Sequence, residues 1–339
     1  MSCTALAHLF EASGDRNEMF RSKTQWAIRS GMISKLVPRL CDPSGDVRRR
    51  AIEAARNMLS VGGKISCDAF MKIDVLTVLE KLFVESASLD ALKGMFLKKE
   101  ESLRSDLYAI LSVFGLLAEQ SDVAVHRITK SIPTRQCISL CIRAHADLPM
   151  VAELAAQLLH IISDNNPIFA KQIRASVPED LKMLIQDKIK DGISSRARGS
   201  AMRTRLHIAG MFCNVLEERD IVVLKLLRDC IQISPLNCLN AAIEAWSHTT
   251  TSTSSSSSSG GESWNEMARV QMTALEILAN LFSCNDDDDD DETADLKIAP
   301  DIQYQLIDSV ISLVRAFSLS LFYTNKHTHT HSLTHSSRT

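Results

Sequence analysis

A short helical signature returns along the 339-residue chain, and it restricts the fold more than any other feature. Its fullest copy runs from Asp46 to Leu59. There Val47, Ala51, Ala54, Ala55, Met58 and Leu59 share one face, and Arg48, Arg49, Glu53 and Arg56 share the other. That 3.6-residue period predicts an amphipathic helix. Further copies are Phe114-Gly115-Leu116-Leu117, Leu158-Leu159-His160-Ile161, Met211-Phe212-Cys213-Asn214-Val215 and Ile277-Leu278-Ala279-Asn280-Leu281, with an earlier one at Leu6-Ala7-His8-Leu9. One polar slot sets the register at His8, Asn57, Leu116, His160, Asn214 and Asn280, in steps of 49, 59, 44, 54 and 66 residues. Recurrence on this scale means stacked supersecondary units, each burying an apolar face against the next. The charged stretch Ser86 to Glu101 and the Thr/Ser run His248 to Gly261 account for two long steps, as an inserted loop and a flexible linker.

Between the copies, apolar residues keep helical spacing and no period-two strand pattern emerges. Ser44 is a candidate N-cap, Gly62-Gly63 a candidate stop, and Pro167 a helix start after the turn Asp164-Asn165-Asn166. Hydrophobic residues at 45% with aromatics at only 5% and 12 glycines favour packed helices over sheets. A net charge of −3 excludes a global basic field for nucleic acid. The nine cysteines lack framework spacing and no signal peptide is visible, which points to reduced thiols in the cytosol or nucleus. The apolar stretch 302–323 carries Asp308 and Arg315 inside it, so it reads as a core helix and not as a membrane span.

Catalytic signatures are missing from the sequence: no Gly-rich phosphate loop, HExxH, CxxC pair or Gly-x-Ser-x-Gly elbow. Cys137 and Cys141 could share a helix face but have no further ligands nearby, so they read as core. His8 and His160 lie near apolar faces and read as core or groove wall. The expectation is a chain that is not an enzyme and takes no cofactor or metal. The tail His327-Thr328-His329-Thr330-His331 to His335 could wrap a transition metal, and a metal-dependent enzyme is the competing reading from another class. A CACACA repeat in the gene, read as His-Thr, explains that tail better.

The expected organisation is repeats over 1–247, beginning inside a truncated first repeat, then a linker over 248–262. Further repeat helices follow over 263–322, interrupted by an acidic loop at 285–295, and a disordered tail closes the chain at 323–339. The acidic loop holds Asp286, Asp287, Asp288, Asp289, Asp290, Asp291 and Glu292. An unbroken acidic run is either a solvated linker or a docking strip for a basic partner.

The segment Gly31 to Leu40, then Asp46-Val47-Arg48, then Ala51 to Leu59, resembles an armadillo repeat. It has a Gly before a short helix, a Leu-Val…Leu pair, an Asp-x-Val-Arg entry and an Ala-Ala-Arg-Asn-x-Leu third helix. The fold class that this resemblance implies is an all-α, right-handed armadillo/HEAT-repeat α-solenoid, with a repeat period of about 40–47 residues.

Several segments, in order, are also similar to the symportins, a family of HEAT-repeat import chaperones. They are Asp42-Pro43-Ser44-Gly45-Asp46-Val47-Arg48 with Arg56-Asn57-Met58-Leu59, Gly62-Gly63…Cys67-Asp68, and Ser86 to Asp90 with Lys98-Lys99-Glu100-Glu101. Asp164-Asn165-Asn166-Pro167 and Thr273 to Asn280, leading into the acidic run, complete the set, and the similarity covers roughly residues 5 to 315. The resemblance implies an adaptor that escorts large-subunit ribosomal proteins, those that pair with 5S RNA, to the nucleus. It implies a peptide groove over Asn57, His160, Asn214 and Asn280, an acidic loop for a second cargo, and an importin-type receptor. It also implies residence in cytoplasm and nucleus. No membrane or direct nucleic-acid contact is expected, and the chain is expected to be a monomer. This sequence departs from the family in lacking the N-terminal import signal. Leu116 and His160 stand in amide slots, a Ser/Thr tract replaces an acidic loop before Trp264, and the His-Thr tail replaces C-terminal repeats. The alternative is a generic armadillo scaffold or nuclear-signal adaptor. Trp26, Trp246 and Trp264 are out of phase with the asparagine slots that a nuclear-signal receptor would use.

Overall fold

The computed structural model describes residues 17–88, 91–92, 101–175, 179–186, 194–215, 221–231 and 259–283. Among these every regular element is helical. The chain divides into two compact units, residues 1–178 and 179–339. Unit 1 contains α1 (Asn17–Arg29), α2 (Met32–Leu36) continued by a 3-10 turn (Val37–Cys41), α3 (Gly45–Lys72), α4 (Val75–Ser86) and α5 (Glu101–Gln120). It continues with α6 (Asp122–Lys130), α7 (Ile132–Arg143), α8 (Pro149–Ser163) and α9 (Pro167–Ala175). Unit 2 contains α10 (Glu179–Gln186), α11 (Ser195–Val215), α12 (Ile221–Ile231) and α13 (Ser259–Ser283). The last of these opens inside the Ser/Thr-rich stretch.

The recurring signature is the third helix of each repeat. Its copies at Asn57, Leu116 and His160 lie on α3, α5 and α8, which stack successively, and those at Asn214 and Asn280 lie on α11 and α13, which stack on each other. The second helices form a parallel layer in unit 1, the 3-10 turn against α4 and α4 against α7. Small residues permit this close stacking: Ala51, Ala54 and Ala55 on α3 and Ala152, Ala155 and Ala156 on α8 are all buried. Larger side chains fill the space between layers, with Phe70, Phe83, Phe114, Leu76 and Leu79 fully buried. Phe83 and Phe114 meet edge to face at 5.5 Å between centroids, joining the second-helix and third-helix layers. Each such side chain contributes about 1.5–3 kcal/mol by leaving water.

The Gly62-Gly63 pair is a corner and not a terminus. Gly63 takes φ 50° and ψ −133°, a conformation closed to L side chains, and helix resumes at once as the first helix of the next repeat. Gly62 is needed for a different reason: a Cβ there would lie 2.6 Å from Thr24 Cγ2 and 2.0 Å from Ser66 Oγ. Ser44 occupies the N-cap of α3 in extended conformation without making a side-chain cap bond. Its backbone N–H instead donates to Asp42 Oδ1 at 3.0 Å. Asn166 makes the later turn that precedes Pro167. Its Oδ1 accepts from Phe169 N–H at 3.1 Å, and its Nδ2 donates to Ile162 O and Thr129 Oγ1.

Ion pairs tie neighbouring repeats together. Arg48 and Arg49, on α3, approach the buried Asp106 carboxylate of α5 at 3.3 and 3.5 Å. In unit 2 Arg203 of α11 meets Glu266 of α13 at 2.8 Å, both side chains nearly buried. Arg127 of α6 reaches back to Asp74 and Thr77 at the start of α4 and to Glu80 at 3.7 Å. Those contacts hold the Asp74 carboxyl below its usual range, while burial pushes Glu80 up.

Candidate functional site

Stacking three third helices leaves a hollow of about 360 Å³ along their shared face in unit 1. Arg56, Asn57 and Ser60 contribute from α3, and Leu111, Ser112, Gly115, Leu116 and Glu119 from α5. Leu154, Gln157 and Leu158 close it from α8. Leucines form the floor and amide and hydroxyl groups the rim. Gly115, which has no side chain, leaves open space in the lining: a Cβ there would meet nothing within 4 Å. Arg56 Nη2 donates to Asn57 Oδ1 at 3.4 Å. Such a surface offers donors and acceptors to a polypeptide backbone above an apolar floor that takes side chains.

Asn57 is therefore part of a hollow built by successive repeats. His160 is on α8 but outside the lining, and Gln157, one turn earlier, supplies the amide there. His160 is instead half-buried, and burial pulls its imidazole pKa down from the ordinary 6.5, with Asp164 acting in the opposite sense. Asn214 is half-buried on α11 and Asn280 exposed on α13, both in unit 2. The acidic run from Asp286 to Glu292, His8 and the histidine tail lie outside the described residues. Gln157 was recoverable from its i−3 spacing to His160, which places both on one side of the helix.

Cys137 and Cys141 are buried, and desolvation pushes the Cys141 thiol up to about 12, as it does Cys230. Thiols so shifted stay protonated and are poor nucleophiles. Among the described residues no group of three or more His, Cys, Asp or Glu is placed to hold a metal ion. Among the same residues no helix is long and apolar enough to cross a membrane.

No protein-family model matches the sequence. Over 183 residues the chain is 27% identical to human HEAT repeat-containing protein 3, a match covering 52% of this chain and 25% of that protein. The matched region thus spans about a quarter of the relative's length. The fold is of the all-α armadillo/HEAT-repeat class. Among solved structures, an engineered protein is 16% identical with a TM-score of 0.44, covering 82% of this chain and 89% of its own. A designed armadillo repeat protein in complex with the peptide (KR)4 is 14% identical with a TM-score of 0.44, covering 81% and 90%. The chain is a helical repeat scaffold.

Proposed function

We propose that this chain is a protein-binding adaptor whose unit-1 hollow holds an extended segment of its partner. The observation that carries this reading is the convergence of Asn57, Ser112 and Gln157 from three successive third helices around one leucine-floored hollow. A side-chain amide pairs with a peptide group whatever the side chain, so amides on successive repeats suit a chain laid across the stack. The resemblance to the symportins, together with the match to a HEAT-repeat protein, supports large-subunit ribosomal proteins as the cargo. Escort from cytoplasm to nucleus through an importin-type receptor is the corresponding role, and the run from Asp286 to Glu292 is the docking strip for basic cargo.

Replacing Asn57 and Gln157 together by Ala should weaken a cargo peptide measurably. Each lost amide removes one or two hydrogen bonds of about 0.5–1.5 kcal/mol net, so about a tenfold rise in Kd is expected. Calorimetry with peptides tiled across a captured ribosomal protein reads this directly. Unchanged affinity with unchanged circular dichroism would remove the hollow from the function.

A further inference from the structure

We infer that the unit-1 hollow selects a doubly charged segment, one that sets a carboxylate against Arg56 and a basic side chain against Glu119. The inference rests on the reading of the hollow as a peptide groove and adds to it the chemistry of the occupant. Of the residues lining the hollow, Arg56 and Glu119 alone are charged.

The neighbouring cations are all engaged. Arg48 and Arg49 meet Asp106, Arg50 pairs with Glu53 at 2.8 Å, and Lys64 bridges Asp68 and Gln120 O at 3.0 Å each. Among the described residues Arg56, by contrast, makes only its long hydrogen bond to Asn57, and no carboxylate comes within ion-pair distance of it. Glu119 makes no hydrogen bond or ion pair with the described residues. It keeps solvent contact, yet its neighbours desolvate it enough to raise its carboxyl pKa. A lone surface charge is ordinary. Two opposite charges in one hollow, both unanswered beside a set of satisfied arginines, are a complementary pair awaiting a ligand that brings both signs.

Geometry sets the spacing of that ligand. Stacked helices lie about 8–10 Å apart, which separates α3 from α5 across the hollow. Arg56 precedes its register residue by one position and Glu119 follows its own by three, an offset of about one turn, roughly 5–6 Å along the axis. An extended chain repeats on one face every two residues, about 6.6–6.8 Å. The occupant therefore carries its acid and its base about four residues apart. A uniformly basic segment would face Arg56 unfavourably, and a nucleic-acid phosphate chain or a uniformly acidic segment would face Glu119.

The test uses fluorescein-labelled ten-residue peptides in a Leu/Ser background, with Glu and Lys four apart, Glu at both positions, or Lys at both. Anisotropy is measured against the full chain at low ionic strength, where exposed charges are least screened. The mixed peptide should bind about fivefold more tightly than either like-charged one, the combined effect of two exposed pairs. Arg56→Glu should shift the preference to the Lys/Lys peptide and Glu119→Lys to the Glu/Glu peptide, and the double swap should again favour a mixed peptide, now with the order of Glu and Lys reversed. If the ranking ignores these swaps while Asn57→Ala with Gln157→Ala weakens every peptide, the groove stands and charge selection is overturned. Saturable binding by none of the three would overturn both.

Discussion

His160 shows how one residue can hold the register position of its helix and still lie outside the hollow. The polar position in Leu158-Leu159-His160-Ile161 matches Asn57 in side-chain chemistry, whereas a groove is assembled by helix rotation. Gln157 and His160 are three apart, hence on one side of α8, but only the first lines the hollow. Burial lowers the imidazole pKa below its ordinary 6.5. The unfolded chain then binds a proton at this site that the folded chain refuses. Stability contributed by neutral His160 is complete above pH 6.5 and is lost as pH falls from there toward the depressed folded value. His160→Gln should flatten this part of the stability profile, by up to about 1.4 kcal/mol per pH unit. Urea unfolding of parent and variant between pH 5 and 7.5 checks it. Equal slopes for the two proteins would place the titration elsewhere.

At the scale of the helix, periodicity was a sound guide and pairing across repeats was invisible. The third-helix copies around Asn57, Leu116, Asn214 and Asn280 fall on α3, α5, α11 and α13 because an apolar stripe is a local property of sequence. Gly62-Gly63 misleads because a stop and a corner carry the same signal; continuation at Lys64 depends on Ser66, Cys67 and Phe70 finding a core to enter. Arg48 and Asp106 are 58 positions apart, and nothing local announces that their helices meet. That pair sits where α3 and α5 stack, with Asp106 almost wholly buried. Asp106→Ala leaves Arg48 and Arg49 without their carboxylate and should cost about 2–3 kcal/mol, near the lower range for a broken buried pair because both arginines keep some water contact. Arg39→Ala, which breaks the pair that a solvent-exposed arginine makes with Asp42, should cost much less. Chemical denaturation of both variants compares them, and equal losses would contradict the assignment of Asp106 as the tie between repeats.

At the scale of the molecule, a repeat array is held by nearest-neighbour contacts, so damage stays near its origin. The contacts of this chain fall into two sets, residues 1–178 and 179–339, and the hollow belongs wholly to the first. The Arg203–Glu266 pair belongs to the second and is its most enclosed ion pair among the described residues. Packing around it is tight: a Cβ on Gly199 would lie 2.7 Å from Glu266 Oε2. Arg203→Ala would leave that carboxylate enclosed with only the more distant and more exposed Arg269, 3.5 Å from its other oxygen, at a cost of about 3 kcal/mol, the low end for a broken buried pair. If the two units unfold separately, calorimetry of the parent shows two transitions, and the variant lowers one of them by roughly 6–15 °C for units of this size. Peptide affinity at the hollow, measured at 25 °C below both transitions, should stay within about twofold, since energetic coupling between sites that share no partners is small. A single transition that moves as a whole, or hollow affinity that falls in step with the unit-2 melt, would show that the two sets of contacts unfold as one.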